Sequence, residues 1–368
     1  MSFSKLGDVR VKYAEDVAAQ NFILNRCFPD KYDQDAAREY SDWDENVQVR
    51  PQTINSVEAA IVVMRHLFTF VGPAWRDGSD GNPLEAMIWA DLADDENVKE
   101  QTMARYAIIK KFYEEDPDNT LDFFSLTECE AMWDSVWKRR PFLFWHPLVL
   151  QNVKENKWEV VEYKVPRKLA RVSRFQYRGD GTLSDFISKG LGQFWNEESQ
   201  AKYYWQIDNP VIIRVYYDHK PAYGPPKGFD ELNRLSINPK RLKKVGEDKM
   251  AYYREETQRM EYQLVAVVRL AGEDDGDRIR LYGDDGKSIT LPSSLGRRFG
   301  GTEWRLGEVD AKYMLYYALS RPGQATGVVP REVEPVIPGA RATLYRMLNA
   351  VDPERYPDEV IASEDESS

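Results

Sequence analysis

Residues 262–286, YQLVAVVRLAGEDDGDRIRLYGDDG, decide how the chain is read. Tyr262 to Leu270 is a run of apolar and β-branched residues, the composition of a strand covered on both faces. An acidic connection follows, Glu273, Asp274 and Asp275, and then a short strand, RIRLY, carrying Arg278 and Arg280. The stretch closes on Gly-Asp-Asp-Gly, a hairpin-turn composition. A buried strand that runs into so charged a tip raises one question: whether the tip is a solvated turn or carries chemistry.

Further strands are expected on either side of this hairpin. Downstream are SITL (288–291) and KYMLYYAL (312–319); upstream are VIIRVYY (211–217), LSI (235–237), PFLFWHPLVLQNV (141–153) and KWEVVEYKV (157–165). One helical piece, TLSDFISKGLGQFW (182–195), interrupts them. The first 140 residues have helical texture instead. Helices are expected in DVRVKYAEDVAAQNFIL (8–24), AAIVVMRHLFTFV (59–71), PLEAMIWADLAD (83–94), NVKEQTMARYAIIKKFYEE (97–115) and TECEAMWDSVWKRR (127–140). The second of these is apolar nearly all round, which marks a helix buried inside the domain. Asn55 or Ser56 is its expected cap, and Gly72 and Pro73 stop it. The fold class is therefore α+β: a helical part, 1–140, packed on a mostly antiparallel sheet, 141–320. A C-terminal extension, 321–355, adds a late helix in ARATLYRMLNAV, and an acidic tail, 356–368, is expected to be disordered.

The totals exclude several functions. At 368 residues, 42% hydrophobic and 12% aromatic, the chain can bury a core of its own. Its net charge of −11 produces a field that repels phosphate backbones and anionic membranes, so neither nucleic acid nor membrane is an expected partner. Cys27 and Cys129, the two cysteines, are far apart and make no disulfide framework. The first residues are too polar for a signal peptide, and AAIVVMRHLFTFVG, interrupted by Arg65 and His66, is too short to span a bilayer. An intracellular protein, cytoplasmic or nuclear, is expected.

Familiar site motifs are missing. There is no HExxH, no paired CxxC and no GxGxxG after a strand. GDDGKSIT contains Gly-Lys-Ser, but Leu281 stands where a phosphate-binding loop needs its first glycine, so the segment reads as a turn through Asp284, Asp285 and Gly286. His66, His146 and His219 are widely spaced and two cysteines cannot close a zinc site, so neither metal nor other cofactor is expected. His66 reads as a core-edge residue, His146 as packing beside Trp145 and Pro147, and His219 as a strand end.

Taken in order, the second half resembles the ubiquitin-specific protease family. The segments are TLSDFISKGLGQFWNEES, KYYWQIDNPVIIRVYYDHKP, LNRLSINPKRL, YQLVAVVRLAG and WRLGEVDAKYMLYYAL, over roughly residues 180–320. Thr182, Leu183 and Asp185 match the family's "TLED" helix, and Asn209 to Tyr217 its following strand. Tyr262, Leu264, Ala266, Val267 and Val268 match "YxLxAV", and Tyr313, Leu315 and Tyr317 the closing "AYxLFY" strand. The resemblance implies a papain-like cysteine-peptidase fold, with residues 1–140 thumb-like and 141–320 forming fingers and palm; in place of the family's zinc ribbon, residues 141–180, with Trp145, Trp158 and Phe175, would supply an aromatic hairpin to the fingers. In that family the hairpin of residues 262–286 carries the catalytic histidine in "GHY"; here the position holds Asp277 or Arg278. Arginine stays protonated, and a solvent-exposed aspartate is too weak a base to activate a thiol.

The nucleophile is displaced too. The family's "GNTCYMNSxLQ" aligns with PQTINSVEAAIVV through Asn55 and Ser56, which puts Gln52 on the cysteine position. A rival alignment sets Cys27 and Phe28 of LNRCFPDKY against "TCF". Asp284 or Asp285 stands nearest the family's third catalytic residue. The resemblance thus implies a catalytically inactive relative that binds or scaffolds proteins, with ubiquitin or a ubiquitin-like protein as partner and Asp274, Asp275 and Tyr282 as binding residues. Two other readings stand beside it: an active cysteine peptidase using Cys27 with His219 or His146, and an unrelated α+β interaction module.

Overall fold

A computed structural model describes residues 51–71, 75, 82–90, 98–115, 121–145, 148–152, 157–161, 166–197, 201–205, 207, 209–245, 252–272, 276–283, 286, 288–289 and 304–320. The helix expected in 8–24, the late helix in 340–351 and the acidic tail lie outside these residues.

Helix α1, Pro51–Phe70, is the centre of the helical part. It starts four residues before Asn55, the first of the two expected caps. Proline lacks an amide hydrogen and its fixed φ suits a first helical position. Asn55 and Ser56 therefore sit inside the helix, and Ser56 turns its hydroxyl to another task. Every residue from Ser56 to Phe68 is buried. Helices α2 (Pro83–Ile88), α3 (Val98–Glu115) and α4 (Phe123–Thr127) pack on α1, and α5 (Glu130–Asp134) follows α4 in the chain. Asn82 caps α2 by accepting from Leu84 N at 3.0 Å and Glu85 N at 3.4 Å, and Asp122 caps α4 by accepting from Ser125 N at 2.7 Å. The single helix expected over 127–140 is instead the short α5 followed by turns.

The later part contains more elements than the sequence reading expected. Strands β1 (Leu148–Asn152) and β2 (Lys157–Val161) form the expected hairpin, but α6 (Pro166–Val172) and β3 (Arg174–Tyr177) follow it. Helix α7, Leu183–Lys189, is capped by Thr182 and ends at Gly190, so Gly192–Asn196 becomes strand β4 rather than a continuing helix. Then come β5 (Ala201–Trp205), β6 (Ile212–Asp218), α8 (Phe229–Leu232), β7 (Arg234–Ile237), β8 (Lys240–Val245), β9 (Tyr252–Thr257), β10 (Met260–Arg269), β11 (Arg278–Leu281) and β12 (Lys312–Leu319). The expected strand at SITL is reduced to a single bridge between Tyr282 and Ser288.

The architecture is α+β. The main sheet runs β11-β10-β12-β6-β3, all antiparallel except β3, which lies parallel to β6. The edge of β10 that faces away from β12 is shared: Met260–Gln263 pair with β7 and Ala266–Arg269 with β11. A second sheet has the order β2-β1-β5-β4, and β8 and β9 form a ribbon.

Both faces of the main sheet are covered, which explains why its strands read as continuous apolar runs rather than alternating ones. On β12, Met314, Tyr316 and Ala318 enter the core beneath α1, whereas Tyr313, Leu315 and Tyr317 enter a second core with Leu183 and Ile187 of α7. On β10 the register against β12 shifts between Leu264 and Ala266. This bulge puts two successive residues, Val265 and Ala266, into the α1 core.

His66 joins α1 to that bulge. Its Nε2 lies 3.0 Å from both the Val265 and the Tyr282 carbonyl oxygens, so the ring carries its hydrogen on Nε2 and donates to the sheet. It is fully buried rather than at the core edge. Burial pulls its pKa down to about 4, against the opposing pull of the two carbonyls. A folded-state pKa below the unfolded value gives stability that is complete above pH 6.5 and is lost as pH falls through about 4. The separation corresponds to about 3 kcal/mol. Urea unfolding of the wild-type chain and of His66→Gln across this window is expected to show an acid-side loss of roughly that size in the wild type and little of it in the variant.

Candidate functional site

Two segments singled out from the sequence meet in the fold: the first turns of α1 and the connection from β10 to β11. Asp277 immediately precedes β11 and is 2% exposed. Its Oδ2 accepts from the Ser56 hydroxyl at 2.5 Å and from the Phe123 amide at 3.1 Å, and its Oδ1 accepts from the Ala271 amide at 2.9 Å. One carboxylate thereby ties together α1, the start of α4 and the end of β10. Beside it, the Asn55 amide nitrogen lies 3.9 Å from the point where a Cβ on Gly276 would stand.

Asp277 corrects the sequence reading in one respect: it is buried, not solvent-exposed. Burial pushes its carboxyl pKa up, while the donors from Ser56, Ala271 and Phe123 pull it back. Both of its oxygens are occupied as acceptors, so the group is organised as a structural clamp. A general base must instead present a lone pair to the proton it removes.

The two arginines after it behave differently. Arg278 opens β11 opposite Arg269 and is half-buried, whereas Arg280 is buried, donates to the Trp304 carbonyl at 2.5 Å and stacks on the Trp304 ring at 4.1 Å. The charged appearance of RIRLY therefore conceals one arginine built into the core.

Among the described residues, Tyr282 and His219 do not join Asp277. Gln52 lies in the first turn of α1. Tyr282, expected at a binding surface, is 1% exposed, and its ring packs on Phe229 with centroids 5.3 Å apart. His219 does follow a strand end, with Nε2 2.8 Å from the Gly224 carbonyl oxygen. Its strand, β6, is separated from β11 by β12 and β10, roughly 14 Å across the sheet. Cys27, His146, Asp274, Asp275, Asp284 and Asp285 lie outside the described residues. Cys129 precedes α5, with its Sγ 3.4 Å from the Leu126 carbonyl oxygen. Gly286 adopts φ +77° and its amide donates to the Gly283 carbonyl at 3.0 Å. Among the described residues, no group of three or more His, Cys, Asp and Glu is arranged to hold a metal ion, and no helix is long and apolar enough to cross a membrane.

A second polar cluster escaped the sequence reading. Arg214, in the middle of β6, is fully buried and donates to Glu128 Oε1 and to the Ala170 carbonyl, both at 2.5 Å, with its guanidinium 4.2 Å from the Trp137 ring centroid. Burial lowers the Arg214 pKa and the Glu128 carboxylate opposes that shift. Arg174 on β3 lies over the Phe124 ring at 4.8 Å and 3.8 Å from Glu128 Oε2. An arginine inside the apolar run VIIRVYY is the signal that could have revealed this link between the helical part and the sheet.

No family model and no curated protein matches the sequence. Among solved structures, the chain is similar to the Pan2 pseudoubiquitin hydrolase–RNA exonuclease module of Saccharomyces cerevisiae, in complex with AAGGA RNA. Identity is 9% and the TM-score 0.33, over 80% of this chain and 56% of that one. It is also similar to the SAGA Ubp8/Sgf11/Sus1/Sgf73 DUB module, with 10% identity and a TM-score of 0.27 over 75% of this chain and 67% of that one. The chain thus spans little more than half the length of the first. Likeness at this level transfers neither activity nor ligand.

Two substitutions test the polar links. Asp277→Asn replaces one acceptor oxygen by a donor nitrogen that must face a hydroxyl or an amide N–H, and is expected to cost about 1–3 kcal/mol in urea unfolding. Glu128→Ala strands Arg214 in the core and is expected to cost about 3–5 kcal/mol in the same measurement.

Proposed function

We propose that this chain is a catalytically inactive, ubiquitin-specific-protease-like module that works by binding a protein partner, ubiquitin or a ubiquitin-like protein. The observation that supports this reading is the Asp277 clamp. In the family that the sequence resembles, the corresponding junction of helix and hairpin holds a thiol facing an imidazole, with space between them for the substrate carbonyl. In the alignment favoured here, Gln52 aligns with the thiol and Asp277 or Arg278 with the imidazole, the rival alignment setting Cys27 at the thiol. A glutamine amide is not a nucleophile, and a carboxylate that already accepts three hydrogen bonds cannot shuttle the proton of a thiol to a leaving amine.

Binding does not need that chemistry. The acidic connection at Asp274 and Asp275 matches in sign the arginine-rich C-terminal tail of ubiquitin. Tyr282, as a core residue, is not part of the proposed surface.

Two measurements test the proposal. Calorimetric titration with monomeric ubiquitin at physiological salt is expected to give saturable binding, weakened by Asp274→Asn/Asp275→Asn; absence of heat at two temperatures removes ubiquitin as the partner. Incubation with a ubiquitin C-terminal reporter is expected to give no turnover that distinguishes the wild-type chain from Cys27→Ala. Turnover abolished by that change would establish an active cysteine peptidase instead.

A further inference from the structure

We propose that Arg174 is the anchor for a single carboxylate of a partner protein, presented where α4 meets the main sheet. Arg174 and Arg214 stand side by side in the register of β3 and β6, and one carboxylate, Glu128, serves both. Its Oε1 accepts from Arg214 and its Oε2 from the Trp133 indole at 3.3 Å, which leaves Oε2 3.8 Å from Arg174 Nε. Two cations against one anion give the cluster one positive charge in excess. The other carboxylates whose charges reach Tyr216, Asp218 and Asp122, are engaged by Lys220 at 2.8 Å and by the Ser125 amide at 2.7 Å.

Among the described residues, the Arg174 guanidinium donates no hydrogen bond, and its Nε and Nη1 are buried without an acceptor. Two rings hold it instead: its central carbon lies 4.8 Å from the Phe124 centroid and 5.7 Å from that of Tyr216. Such contacts fix the plane of the fork but accept none of its hydrogens. The side chain is 19% exposed, and with Nε and Nη1 enclosed, Nη2 is the nitrogen that faces solvent. Carboxylates pair with this fork through two adjacent nitrogens, so one that reaches Nη2 also brings an oxygen to a neighbour that lacks an acceptor. Gln176 lies two residues along β3 on the same face, exposed and opposite Tyr216. At roughly 7 Å along the strand, its amide is within reach of the same carboxylate.

The local charge selects the ligand. One excess positive charge and one nitrogen facing solvent match one carboxylate. A phosphate dianion exceeds that charge, beside Asp122 and Asp218 and in the field of a chain whose net charge is −11. A carboxylate carried on a polypeptide also covers the half-buried rings of Phe124 and Tyr216, which a free inorganic anion does not. Its source is an acidic side chain or a chain end. Arg174 and Gln176 lie on β3, apart from the Asp274–Asp275 connection, so the proposal goes beyond the ubiquitin reading and fails or stands separately from it.

The test is a titration of the full chain, labelled with nitrogen-15 in arginine, with two acetylated tetrapeptides. One is Ala-Ala-Glu-Ala with an amidated end; the other is Ala-Ala-Ala-Ala with a free C-terminal carboxylate. The Arg174 Nε resonance, assigned by its loss in Arg174→Gln, is expected to shift saturably, and the tighter peptide identifies the side chain or the chain end as the source. Amidated Ala-Ala-Gln-Ala is expected to bind at least about tenfold more weakly, and Gln176→Ala to weaken the carboxylate peptide about threefold. The glutamine peptide acts on the wild-type chain, and Arg174→Lys supplies the assignment if Arg174→Gln does not fold. No saturable shift with either carboxylate peptide, or an equal shift with the glutamine peptide, overturns the proposal. So does tighter binding of inorganic phosphate, or an equal response to chloride, which makes the site one for an adventitious ion only.

Discussion

A helix that is buried on every side must find a partner for each polar group it carries, and the structure is organised around how α1 does so. Between Ser56 and Phe68 its polar residues are Ser56, Glu58, Arg65 and His66, all buried. Each reaches a different neighbour. Ser56 donates to Asp277 before β11, and Glu58 pairs with Arg105 of α3 at 3.0 Å. Arg65 donates to the Met87 and Ala90 carbonyls at and after α2, and His66 to the carbonyls of Val265 and Tyr282. Leaving any of these unmade inside the core costs the desolvation of the group without return. The apolar face of α1 drives burial, whereas these four groups fix its position and rotation.

The sheet answers the same constraint from its side. The bulge at Val265 in β10 releases a carbonyl from the ladder with β12, and that oxygen accepts both the Tyr282 amide at 2.8 Å and the His66 ring. Asp277 then closes the gap between sheet and helices at the end of the same hairpin. Arg214 and Glu128 make a comparable tie through β6. Helical part and sheet are thus joined at three points by buried polar groups: His66, Asp277 and the Arg214–Glu128 pair.

The parts of this plan that depend on local pattern were legible in the sequence. Continuous apolar runs identified β6, β10 and β12, and the all-round apolarity of residues 59–71 identified α1 as buried, because both follow from periodicity and composition. Short elements were not legible. α6, β3 and β4 are held by their neighbours, with β3 paired to a strand more than thirty residues away, and four to seven residues do not establish a period. The candidate site was half legible: the resemblance brought Asp277 and Ser56 to notice, but an aspartate after an acidic turn reads as solvated. Only the convergence of Ser56, Phe123 and Ala271, distant in sequence, makes it a core residue.

A base that serves catalysis must be exposed to its substrate and ready to change protonation; a clamp must be enclosed and hold its hydrogen bonds. Asp277 has the second set of properties, and the account rests on that assignment. A double-mutant cycle on Ser56→Ala and Asp277→Asn, read by urea unfolding at neutral pH, tests it most directly. The account predicts a coupling of about 1–2 kcal/mol between the two positions, because they share one buried hydrogen bond. Additive effects, with coupling below about 0.5 kcal/mol, would mean that Ser56 and Asp277 act independently and that the clamp is not what joins the helix to the sheet.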